Sequence, residues 1–202
     1  MSLVAICTPH GGSVPPEFYR HILGMQGQFL EHQFIHAEID SQIVGKARNS
    51  LVESALSAKV DVVWMIDDDV LIPPYAGQLI SKALQLGIVS GLYFSRRPPY
   101  TPQLYTTAAE PQYQGKGTML YWPVMDYPEG LMVVDAVGTG CMCVRADVFT
   151  KLVDYQKNEE DKRAAACARV AAALRAAGHE GLVDTDLHQI VNSRVKLSPW
   201  FE

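Results

Sequence analysis

Cysteine is scarce and unpatterned in this chain. Cys7, Cys141, Cys143 and Cys167 form no C-x-x-C and have no nearby histidine pair, which excludes a zinc knuckle and a disulfide framework and leaves buried free thiols in a reducing cytoplasm as the expectation. No apolar run approaches the roughly 18 residues of a membrane-spanning helix. An excess of basic residues is missing too: 17 Lys and Arg stand against 22 Asp and Glu, for a net charge of -5 and a pI near 5.7. That balance gives no strong nucleic-acid signature, while leaving a phosphate-bearing small ligand open. The opening Met1-Ser2-Leu3-Val4-Ala5-Ile6-Cys7 lacks the basic stretch, apolar core and small-residue cleavage site of a secretion signal, so a cytoplasmic location is expected. Internal repeats are absent, and an alanine-rich run after Arg163 is the nearest approach to low complexity.

What is present reads as alternating strands and helices. At 202 residues the chain is long enough for one sizeable core, since about 150 residues per domain does not force a second. Leu3 to Thr8 is an apolar strand that breaks at Pro9-His10-Gly11-Gly12-Ser13. Pro15-Pro16-Glu17 suits a helix start, with Phe18, Ile22 and Leu23 at helical spacing. Glu31 to Asp40 reads as an edge-like strand, and Val44 to Leu56 as a helix with Leu51, Val52, Ala55 and Leu56 inward. Leu79, Ile80, Ala83, Leu84 and Leu86 mark an amphipathic helix closed by Gly87, and Ile88 to Phe94 the next strand. This alternation predicts an α/β fold with a mostly parallel central sheet between helices.

From Tyr100 to Val134 the sequence turns aromatic and proline-rich, predicting loops and short antiparallel strands over the carboxyl edge of the sheet. Val133 to Arg145 is strand-like but interrupted at Gly138-Thr139-Gly140, where glycines permit a bend or close approach to a ligand. Ala146 to Val153 predicts a short helix, and Asn158 to Gly178 a peripheral alanine-rich one. Leu182 to Glu202 predicts a last polar helix or loop.

The chemistry concentrates at Val60 to Val70. Five apolar residues, Val62 to Ile66, run without alternation and stop at Asp67-Asp68-Asp69, the pattern of a strand covered on both faces that delivers acid to its own carboxyl end. Two like charges roughly 5 Å apart repel by about 3 kcal/mol at an effective dielectric of 20, so such a cluster needs solvent, donors or a cation. The carboxyl edge of a parallel sheet is also where open α/β folds bind ligands.

Five segments in this order, Cys7-Thr8-Pro9-His10-Gly11, Ala47-Arg48-Asn49, Met65-Ile66-Asp67-Asp68-Asp69, Val89 to Phe94 and Val137 to Met142, together resemble the GT-A fold glycosyltransferases, specifically the family 2-like proteins of bacterial and phage type. The resemblance covers nearly all the chain. It implies a Rossmann-like, three-layer α/β/α sandwich over residues 1–202, of the kind that handles nucleotide-diphospho-sugars. Within it, 1–99 would form the nucleotide-binding half, 100–153 the acceptor and sugar side, and 154–202 a peripheral helical segment. The implied activity is metal-dependent transfer of a sugar from a nucleoside diphosphate sugar, a UDP-sugar favoured, to an unknown acceptor.

As a D-x-D motif, Asp69 would coordinate Mn2+ or Mg2+, Asp67 would share the metal or face the ribose, and Asp68 would point elsewhere in the donor site. Thr8, Pro9 and His10 would line the nucleotide, and Gly138, Thr139 and Gly140 would approach the sugar or acceptor. Arg48 would either meet the donor phosphates or brace an aspartate. Arg96 and Arg97 either bind phosphate or acceptor or lie in a solvated loop. Tyr93, Tyr105, Tyr121 and Trp122 either stack on a sugar or belong to local core. The family also carries, after a segment like Pro199-Trp200-Phe201, a Gly-Glu-Asp-like motif that supplies the catalytic base, whereas this sequence ends at Glu202. Asp135, Asp186 and Glu202 remain candidate catalytic acids, and His188 a candidate metal ligand. The alternatives are a GT-A-like module that binds nucleotide sugar without efficient transfer, and a nucleotidyltransferase. The latter needs a basic loop after the first strand, and Gly11-Gly12-Ser13 is followed by no Lys or Arg before Arg20.

Overall fold

The structure, a computed structural model, describes residues 1–40, 43–107, 121–150 and 181–188. The expected helix from Asn158 to Gly178, the Pro199-Trp200-Phe201 segment, Glu202 and Cys167 lie outside the described residues. In chain order the elements are β1 (Ser2–His10), α1 (Pro16–Gln26), β2 (His32–Asp40), α2 (Val44–Ser57), β3 (Val62–Ile66), a 3-10 turn (Pro74–Gly77), α3 (Gln78–Leu86) and β4 (Ile88–Leu92). They continue with β5 (Leu104–Thr107), β6 (Tyr121–Pro123), β7 (Leu131–Val134), β8 (Ala136–Val137), β9 (Cys141–Arg145), α4 (Ala146–Thr150) and β10 (Gly181–His188).

Seven strands form one sheet in the order β2-β1-β3-β9-β4-β10-β7, and β6-β5-β8 form a small second sheet. Strands β2, β1, β3, β4 and β10 run in one direction, while β9 and β7 oppose them. The sheet is therefore mostly parallel, as expected, with β2 at one edge. β9 falls within the strand-like stretch expected from Val133 to Arg145, but the expectation did not include its direction: it slots antiparallel between β3 and β4.

Helices cover both faces. On one, α1 and α3 pack Phe18, Ile22, Met25, Leu79, Ile80 and Ala83 onto Val4, Ile6, Val62, Trp64, Ile66, Cys141 and Cys143. On the other, α2 lays Leu51 and Ala55 against Ala5, Cys7, Val63 and Met65, and Val148 of α4 joins Ile88, Leu92, Met142 and Val144. β3 is buried along its whole length, which is why its sequence shows no alternation. The inward stripe of α1 is Phe18, Ile22 and Met25, spaced by four and three; Leu23, expected inside, is exposed.

Two strands correct the sequence reading. β1 continues through Pro9 to His10 instead of ending at Thr8. The Leu3 carbonyl accepts from Asp61 N–H, so odd residues of β1 turn toward β3, and pairing with β3 ends at Cys7. The missing N–H of Pro9 therefore leaves no gap in a ladder. The stretch expected as a polar helix or loop begins with β10, parallel to β4 and antiparallel to β7. Part of the segment placed at the periphery thus belongs to the central sheet, and the β-branched and apolar content of Leu182-Val183-Asp184-Thr185 was the available signal. Among the described residues, no helix is long and apolar enough to cross a membrane.

Trp64 is fully buried in the face under α1 and α3. Trp64→Ala is expected to lower unfolding free energy by about 3–5 kcal/mol, read from urea denaturation. Burial pushes the Cys7 thiol from 9.0 up to about 12. A raised pKa means that the unfolded thiol ionises first, so this contribution to stability is intact below pH 9 and is lost between 9 and 12. Cys7, Cys141 and Cys143 are all buried, and peptide mapping should find them unalkylated by iodoacetamide at pH 8 until denaturant is added.

Candidate active site

The carboxyl ends of β1, β3 and β4 share one edge of the sheet. Because β9 runs the other way, its first residue Cys141 sits opposite Ile66, and the preceding Gly138-Thr139-Gly140 turn arrives at this edge. The Asp67 N–H donates to the Gly140 carbonyl at 3.0 Å, extending the ladder by one bond, and Val70 N–H donates to the Asp67 carbonyl at 2.9 Å to close the acid turn. The structure therefore brings Asp67 to Asp69 and Gly138 to Gly140 together.

Tyr93, just past β4, completes the junction. Gly140 N–H donates to the Tyr93 hydroxyl at 2.9 Å. A β-carbon added to Gly138 would overlap that hydroxyl, and one added to Gly140 would lie 2.8 Å from the Tyr93 ring and 3.0 Å from an Asp67 carboxylate oxygen. Side chains have no room there. The close approach that the glycines permit is, among the described residues, an approach of Tyr93, which places that tyrosine with the local core.

The aspartates are answered by arginines. Arg48, at the second turn of α2, reaches the Asp67 carboxylate at 2.7 Å with both side chains mostly covered, 17% and 28% exposed. Of its two expected roles, the brace is the one seen. Arg96 pairs with Asp69, and here the arginine is 55% exposed while the carboxylate is only 14% exposed. The pairing of Arg96 is the feature that the sequence reading missed; two arginines before Pro98-Pro99 gave no sign of which acid they would meet. Asp68 lies half-covered within the turn.

At the end of β1, the Thr8 Oγ1 and His10 Nδ1 are buried and have no hydrogen-bond partner among the described residues. Thr8 is fully buried. An unmade hydrogen bond at a buried group costs about 1–3 kcal/mol, so two at one strand end call for a ligand or water. Thr139 is also buried. Asp135 lies at the junction of β7 with the small sheet, where its carboxylate accepts from the Thr106 hydroxyl at 3.1 Å. His188 pairs with Leu92 in the strand register, and Asp184 and Asp186 lie on the same strand; the side chains of all three lie outside what is described.

Among the described residues no group of three His, Cys, Asp or Glu forms a metal cage. Asp67 and Asp69 alone offer two carboxylates, a set that suits Mg2+ or Mn2+ held jointly with substrate phosphates rather than by the protein by itself.

No family model and no curated protein matches the sequence. Solved structures do match. The chain is similar to A197 from STIV at 16% identity and TM-score 0.62, covering 98% of this chain and 91% of that one. It is similar to the nucleoside-diphosphate-sugar pyrophosphorylase from Vibrio cholerae RC9 at 11% identity and TM-score 0.51, over 90% and 91%. A glycosyltransferase involved in glycosylation of the major capsid of PBCV-1 follows at 14% identity and TM-score 0.48, over 91% and 82%, too distant to weigh. The fold is that of the nucleotide-diphospho-sugar transferases, a three-layer α/β/α sandwich; membership of glycosyltransferase family 2 in particular does not follow from these likenesses.

Arg48→Ala would leave a mostly covered carboxylate without its cation. A loss of about 1–3 kcal/mol is expected, between the values for exposed and fully buried pairs. A double-mutant cycle with Asp67→Ala, followed by chemical denaturation, should return a coupling above roughly 0.5 kcal/mol.

Proposed function

We propose that the protein is a glycosyltransferase that takes its sugar from a nucleoside diphosphate sugar, a UDP-sugar favoured, with the help of Mn2+ or Mg2+. The observation that carries this reading is the acid turn at the end of β3, built against the Gly138-Thr139-Gly140 turn beside unpartnered Thr8 and His10. The fold supports it, because ligands of open α/β sheets lie at this edge.

In this reading Thr8 and His10, with Pro9 between them, meet the nucleotide and gain the hydrogen bonds that they lack. Asp67 and Asp69 hold the ion, and Asp68 shapes the turn. The ion's chemistry is to offset the charge that builds on the diphosphate as the sugar leaves. Arg48 fixes the Asp67 carboxylate, so that its position is set before the donor arrives. The buried Gly138-Thr139-Gly140 backbone faces the sugar or acceptor. The acceptor and the catalytic base are left open, with Asp135, Asp186 on β10 and Glu202 as the candidate acids and His188 as a candidate metal ligand.

A second reading is nucleotidyl transfer, favoured by the likeness to the Vibrio cholerae pyrophosphorylase. The absence of Lys or Arg from Gly11 through Tyr19 argues against it, since a triphosphate needs cationic donors after the first strand. A binding module without transfer is the remaining alternative.

Titration calorimetry with UDP and GDP, with and without Mn2+, tests the reading. UDP should bind in a Mn2+-dependent way, with affinity falling on the order of tenfold or more in Asp69→Ala. Failure of every nucleotide to bind with metal would overturn it. Release of UDP from a UDP-sugar, lost in the same variant, would exclude the binding-only alternative.

A further inference from the structure

We infer that Arg96 is a latch on the metal site, exchanging its hold on Asp69 for a ligand phosphate, so that cation and nucleotide bind as a coupled pair. The inference rests on the donor-site reading above and adds an order of events to it.

The two arginines at the acid turn are built differently. Arg48 springs from the second turn of α2 and is largely covered along with its partner. Arg96 rises from a loop between β4 and β5, and more than half of its side chain is in solvent, while the Asp69 carboxylate beneath it is nearly sealed. The loop holds its own shape without the Arg96 guanidinium. Ser95 N–H donates to the Thr101 carbonyl at 2.8 Å, Tyr100 N–H to the Arg97 carbonyl at 2.9 Å, and Thr101 N–H to Ser95 Oγ at 2.9 Å. Phe94 bridges Pro102 at the loop's base. The long side chain can therefore swing while its backbone stays in place.

Charge decides what lets it swing. A divalent cation entering alone at Asp69 would evict a guanidinium and leave it beside a new positive charge. A cation arriving with a diphosphate supplies the evicted guanidinium with an anion, which its planar fork suits. Asp69 then exchanges one cation for another and Arg96 one anion for another. Coupling of this kind is reciprocal: nucleotide must raise metal affinity by the factor by which metal raises nucleotide affinity.

The test compares wild type with Arg96→Ala and Arg96→Gln, measuring free Mn2+ by electron paramagnetic resonance and UDP by calorimetry. Removing the competing arginine should tighten Mn2+ binding to the nucleotide-free protein by about threefold to tenfold, the scale of a partly exposed ion pair. The same variants should bind UDP more weakly at saturating Mn2+, and the enhancement of Mn2+ binding by UDP should shrink. Opposite signs are the signature, because a purely structural role for Arg96 would weaken both. Unchanged or weaker Mn2+ binding in both variants, with Mn2+-dependent UDP binding intact in wild type, overturns the latch and spares the donor-site reading. Tighter Mn2+ binding in the variants with no UDP binding by wild type overturns the donor-site reading and the phosphate half of the latch. No Mn2+ binding by any of the proteins overturns both.

Discussion

The site depends on the antiparallel pairing of β9 with β3. A sheet made only of βαβ units brings strand ends and helix starts to its carboxyl edge, and nothing else. Reversing one central strand sends the turn before that strand to the same edge. Here that turn is Gly138-Thr139-Gly140, and the bond from Asp67 N–H to the Gly140 carbonyl joins it to the acids. Because β9 is paired on both sides, with β3 and with β4, the position of the turn is set by the middle of the sheet rather than by a loose edge.

The second constraint is electrostatic. Consecutive carboxylates at a covered strand end cannot stand unopposed, and the protein opposes them with guanidinium groups of contrasting exposure. The buried polar atoms at the end of β1, Thr8 Oγ1 and His10 Nδ1, are the reverse case, without hydrogen-bond partners among the described residues. Taken together, the edge sets two guanidinium groups against three carboxylates and leaves Thr8 Oγ1 and His10 Nδ1 short of hydrogen bonds.

Much of this was legible in the sequence, and the reasons for the rest are specific. Val62 to Ile66 announced a two-sided buried strand, and Leu79, Ile80 and Ala83 a sheet-facing helix, because burial and helical period write directly into local composition. The acid turn was legible as a place that wants positive charge, and Arg48 as a possible brace. The direction of β9 was not, since Cys141-Met142-Cys143-Val144 reads the same in a parallel or an antiparallel ladder. The continuation of β1 through Pro9 depends on which neighbour has already ended. The pairing of Arg96 with Asp69 joins residues that are far apart in the chain and adjacent only once the β4 to β5 loop folds back. Tyr93 had two readings, and only the contact with Gly138 and Gly140 separates them.

That contact ties three positions into one exchange of volume. The ring of Tyr93 fills the space that side chains at 138 and 140 would occupy, and its hydroxyl also takes the Gly140 amide proton. A larger residue at either glycine demands a smaller one at 93, and the smaller one forfeits the hydrogen bond. The aromatic ring and the two bare backbones thus constrain one another, and a change at any of the three disturbs the turn against which Asp67 is set.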